Sequence, residues 1–91
     1  MRLMEVTRRI HELDPNQTIY ARKPWTPESE AEVATEEHGR LVPSELAKAG
    51  YDYFLEVDIA CDVVPSLSHV EPSFTLEQWC IRLIRYAVND A

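Results

Sequence analysis

Glu56 and Asp58 lie two residues apart in Tyr51-Asp52-Tyr53-Phe54-Leu55-Glu56-Val57-Asp58. On a strand that spacing puts both carboxylates on one face, about 7 Å apart. Such a pair suits a divalent cation or acid/base chemistry, so a small metal-dependent hydrolase using Glu56, Asp58 and His69 is the alternative reading of the chain. No lysine follows to complete a nuclease-like constellation, and a solvent-facing strand edge looks the same. Cys61, His69 and Cys80 are separated by eight and eleven residues and lack the close ligand pair of zinc sites. Cys80 falls on the apolar face of a helix and Cys61 has no basic neighbour in sequence, so both thiols read as packing groups rather than nucleophiles. With only Gly39 and Gly50, no phosphate-cradling glycine loop exists. No catalytic residue, metal ligand or cofactor is therefore assigned.

A different feature points to recognition. Pro24-Trp25-Thr26-Pro27 holds an indole between two prolines, and the 54 residues from Pro24 to Glu77 carry 12 carboxylates against Arg40 and Lys48. Residues 1–23 carry five basic and three acidic groups, and the whole chain has a net charge of −7. An acidic middle repels nucleic-acid phosphates and anionic lipid, which argues against nucleic-acid and membrane partners, and it draws in a basic protein. A soluble, non-adhesive surface has the same composition. Trp25 either roofs one end of the core or projects as an anchor, and the prolines brace it in both cases. The leading expectation is a non-enzymatic protein-binding domain, immunity- or inhibitor-like, that meets a basic partner through Tyr20, Trp25, Glu28, Glu30 and Glu32.

The elements that must position these residues are legible in the hydrophobic spacing. Leu3, Val6, Ile10 and Leu13 recur every three or four residues and define a helix that Asp14-Pro15-Asn16 ends. Thr18 to Arg22 is β-branched and aromatic, with Ile19 and Ala21 on one face and Thr18 and Tyr20 on the other. Ala31, Val33 and Thr35 alternate with Glu32, Ala34 and Glu36, which favours a second strand before the His38-Gly39 turn. Pro43 to Gly50 has the proline-first, glycine-last polarity of a short helix. In the third strand, Tyr51 to Val57, the alternation sends Tyr53, Leu55 and Val57 one way and Phe54 and Glu56 the other. Asp58 is placed to cap a brief helix through Val64, and 65–72 reads as a loop.

Thr75-Leu76-Glu77-Gln78 matches a capping box, with Phe74 set to staple onto Trp79. The helix that follows, to about Asn89, has an apolar arc widened by Ile81 and Val88, which predicts cover on two sides. The second cover is either the first helix or the same helix of another copy in a homodimer, which gives a further alternative reading of the chain as a self-associating accessory subunit. At 91 residues this is one domain, residues 1–91, large enough to fold without disulfide or metal. The expected class is α+β: a small antiparallel three-stranded sheet with helices packed mainly on one face, in two layers. Two cysteines, no signal-like h-region and no apolar run near 18 residues indicate a cytoplasmic protein.

Thr18-Ile19-Tyr20-Ala21, the run from Pro24 to Ala31, Tyr53-Phe54-Leu55-Glu56-Val57 and the segment Cys80 to Ala91 together resemble a family of small uncharacterised bacterial proteins. The Pro-Trp-Thr-Pro turn and the Arg-Leu-Ile-x-Tyr-Ala helix carry that resemblance. It implies a bacterial cytoplasmic protein of unknown function and supplies no site residue.

Overall fold

The computed structural model describes residues 1–37, 39–65 and 74–90. Expectations for His38, His69 and the loop from 66 to 72 lie outside the described residues. The elements are α1 (Leu3–Arg8), a 3₁₀ turn (Ile10–Glu12), β1 (Thr18–Ala21), β2 (Ala31–Ala34), α2 (Ser44–Lys48), β3 (Asp52–Glu56), α3 (Val57–Val63) and α4 (Leu76–Asp90). The expected α+β class and three-stranded antiparallel sheet are present, in the order β2-β1-β3.

The first helical stripe survives although the helix does not run its full expected length. Leu3, Val6 and Ile10 are fully buried, but regular α geometry stops at Arg8 and tightens into the 3₁₀ turn. That tightening docks the turn on α3. His11 Nε2 is 2.6 Å from Val64 O, and the Cys61 thiol donates to Ile10 O at 3.4 Å. At its other end α1 has no side-chain cap. Leu3 N–H instead donates to Ser29 O at 2.9 Å and Met4 N–H to Pro27 O at 3.0 Å, so the loop before β2 satisfies the helix's free donors.

In the sheet, Ile19 faces Val33 and Leu55, and Tyr20 faces Glu32 and Tyr53. The register slips between Ile19 and Tyr20, leaving Phe54 as the extra residue of a β-bulge. Strict alternation therefore fails in β3. Phe54 and Leu55 both enter the core while Tyr53 keeps to the Tyr20 face, at 6.4 Å and 82° from the Tyr20 ring. Because both flanking strands run antiparallel to β1, the β2–β3 connection crosses the sheet, carrying α2 and the buried Pro43. All four β1 residues are buried, as expected of a central strand covered on both faces.

α4 opens as its sequence requires. Gln78 Oε1 accepts from Thr75 N–H at 2.7 Å, Thr75 Oγ1 accepts from Gln78 N–H at 3.1 Å, and the Phe74 and Trp79 rings lie 5.1 Å apart. Cys80, Leu83 and Ala87 are buried, and α1 makes the broadest helix–helix contact with this face. Val88, one of the two residues that widen the arc, stays 64% exposed.

The Tyr20 hydroxyl is buried with no hydrogen-bond partner among the described residues. Removing an unsatisfied buried polar atom is neutral or stabilising. Tyr20→Phe is expected to change stability by about 0 to +1 kcal/mol in thermal and urea unfolding; a loss above about 1 kcal/mol would reveal a bond to that oxygen.

Candidate functional site: an apolar groove beside Trp25

The turn that holds Trp25 is built by two hydroxyls. Thr26 N–H donates to Ser29 Oγ (2.8 Å), Glu28 N–H to Thr26 Oγ1 (3.2 Å), and Ser29 Oγ–H to Pro24 O (2.9 Å). So fixed, the indole meets the Phe54 ring edge-on at 4.9 Å and 82°, and its N–H donates to Ala21 O at 3.2 Å. Trp25 is half-buried, so both sequence expectations are partly met: one side roofs the core and the other lines a groove of about 840 Å³. Leu41, Val42 and Tyr53 contribute to that groove, as do Ile84, Ala87 and Val88 of α4, with Lys23 and Asp52 as its charged members. Leu41 is 67% exposed and Val88 64%, unusual for isolated large apolar groups sharing one depression.

The other expected contact residues scatter. Tyr20 is not on the surface at all: central in β1, it is covered from both sides and offers no contact to a partner. Glu28 pairs with Arg2, and Glu30 with Arg22 at 3.4 Å. Both pairs are solvent-exposed and contribute little stability, yet they offset charge locally. Glu32 is exposed and makes no ion pair among the described residues. A second recess, of about 320 Å³, is lined by Glu36, Glu56 and Asp58 together with Gln17 and Thr18. Thr18 Oγ1 donates to Glu36 Oε1 there at 3.0 Å.

Leu41, Val42 and Val88 were not singled out as site residues from sequence. Two signals for them exist: an apolar pair stranded just before Pro43, and a valine outside the main arc of α4.

Asp58 does not share a strand face with Glu56. β3 ends at Glu56, whose backbone caps α3 without a side-chain bond, and Asp58 lies in the first turn of that helix rather than at its cap. The two carboxylates meet only across the recess. Among the described residues no group of three or more His, Cys, Asp or Glu is placed to hold a metal ion, and no helix is long and apolar enough to cross a membrane. Burial, then Asp58 and Asp62, raise the pKa of the Cys61 thiol, and burial raises that of Cys80. Neither has the electropositive setting that makes a thiolate nucleophile. Searches against protein-family models, curated proteins and solved structures find no match to the chain.

Both thiols are expected to react with Ellman's reagent at pH 7.5 more slowly than in the urea-unfolded chain, with the buried Cys80 slower than the half-buried Cys61. Because burial raises the folded thiol pKa, this contribution to stability is complete below the unfolded value of about 8.5 and is lost as pH rises through the folded value. Calorimetry from pH 7 to 10 should therefore show a falling Tm that Cys80→Val partly flattens. A fast-reacting Cys80 in the native protein would contradict this account.

Proposed function

We propose that the chain is a non-enzymatic protein-binding domain, immunity- or inhibitor-like in style, that receives a basic partner protein at the Trp25 groove. The observation that carries the reading is a depression of about 840 Å³ lined by a fixed indole and by two strongly exposed aliphatic residues. Aromatic anchors in preorganised surroundings supply most of the binding energy in protein interfaces. Trp25 is preorganised by the Thr26–Ser29 bonds and by Phe54, so little ordering entropy opposes its use.

Charge supports the same partner. The net charge is −7, and Glu32, Glu36, Glu56 and Asp58 make no ion pair among the described residues. Tyr53, which lines the groove, has its phenol pKa raised by burial first and then by Glu56 and Glu36, so those carboxylates act close to the groove wall. A cationic protein would be steered toward this side and then held by apolar contact.

Affinity capture from the native cell, in low salt and in about 0.5 M salt, tests the reading. A basic protein should be retained at low salt and released at high salt. Leu41→Asp with Val88→Asp should weaken retention by about 30-fold, or about 2 kcal/mol, with Tm unchanged because both side chains are exposed. Retention that ignores both salt and the double variant would refute the proposal.

A further inference from the structure

Building on that reading, we infer that the partner binds by strand addition: an extended segment pairs antiparallel with the free edge of β3 and sends an apolar side chain into the groove, with a lysine or arginine two residues before it facing Glu56.

The two edges of the sheet are not equivalent. β2 is covered where it begins, through the Arg2–Glu30 bridge and the Ala31 N–H to Met1 O bond of 2.6 Å. β3 pairs with β1 on one side, and among the described residues no backbone group pairs with its other side. Which residues face outward follows from the ladder. Arg22 N–H donates to Glu30 O and Val57 N–H to Gln17 O, each at 3.0 Å. Antiparallel alternation then turns Gln17, Ile19 and Ala21 toward β3 and Val57 and Leu55 toward β1. Glu56 and, beyond the bulge, Tyr53 turn their N–H and C=O outward.

The bulge sets the partner's spacing. Tyr53 and Glu56 are three residues apart in sequence, but one of the intervening residues is the extra residue of the bulge. Their outward backbone groups therefore match residues two apart on a regular strand, and the side chains of such a pair lie on one face. The residue opposite Tyr53 stands at the groove, beside Leu41 and Trp25. The residue opposite Glu56 stands by the Glu36, Glu56 and Asp58 recess. Read from N to C on an antiparallel strand, basic-x-apolar is thus the segment that fits both size and charge. Main-chain pairing at an edge with alternate side chains in pockets is a general mode of peptide recognition.

A synthetic probe, acetyl-Lys-Thr-Leu-Thr-Lys-Thr-Leu-Thr-Lys-amide, tests the inference on the full chain by amide exchange and titration. Binding should slow exchange at the Tyr53 and Glu56 amides about tenfold or more. N-methylation of the threonines, whose amides face away, should be tolerated, whereas N-methylation of the leucines and the central lysine should weaken binding about tenfold or more. Equal binding of the two methylated peptides, or protection away from β3, overturns strand addition and leaves the broader basic-partner reading standing. No binding of the parent peptide at about 1 mM also overturns strand addition, while the salt-dependent capture decides the broader reading separately. A dimer in light scattering that Val88→Asp dissociates assigns the groove to a second copy and likewise overturns the proposal.

Discussion

The bulge at Phe54 is the constraint on which the rest of the molecule turns. A regular β3 would send Phe54 and Leu55 to opposite faces; with the extra residue both enter the core, and Tyr53 is released to the other side of the sheet. Fully burying a side chain of this size contributes about 1.5–3 kcal/mol, so the slip in register is stabilised by one additional large core residue. Phe54 then presents the ring against which Trp25 packs at 4.9 Å. Without that ring the indole would lose its edge-on contact while keeping its bond to Ala21 O and the Lys23 ammonium 5.1 Å over its face.

From this follows the economy of the Pro24–Ser29 turn. Its hydroxyl bonds aim Pro27 O and Ser29 O at the first amides of α1, so one loop seats the indole and caps a helix. Its acids serve the same packing: Glu28 lies beside Arg2, and Glu30 beside Arg22. The carboxylates that look most suggestive in sequence, those flanking Trp25, are thus largely offset by local arginines. Among the described residues Glu32, Glu36 and Glu56, farther along the sheet, make no ion pair. Surplus charge and apolar groove adjoin through Tyr53 rather than through Trp25.

Much of this fold is readable from local rules. The capping box at Thr75 and the staple from Phe74 depend on residues within a few positions of one another and appear as expected; β2 forms too, but it ends at Ala34, where Val33 and Ala34 are both half-buried, so the alternation is not kept to Glu36. Three features depend on distant partners and were misread. The bulge arises from pairing with Ile19, so alternation within β3 could not reveal it. Tyr20 is hidden in the central strand, a consequence of strand order. Asp58 moved into α3 because β3 stops at Glu56, with Val57 N–H held by Gln17 O. The candidate site was half legible: Trp25 announces itself, whereas Leu41 and Val88 matter only because the fold brings residues 47 apart in sequence to one groove.

Among the described residues the outer edge of β3 is unpaired beside the Trp25 groove, and unpaired strands invite association. Here β3 is short, five residues, and carries Asp52 and Glu56 exposed at its two ends. Charges so placed discourage pairing with another copy, because like carboxylates would be brought together, and they favour a cationic strand instead. On the proposed reading, the same residues that discourage self-association select the sign of the partner. Specificity on that reading comes from two terms: the acids reject the wrong strand, and the groove beside Trp25 rewards the right one.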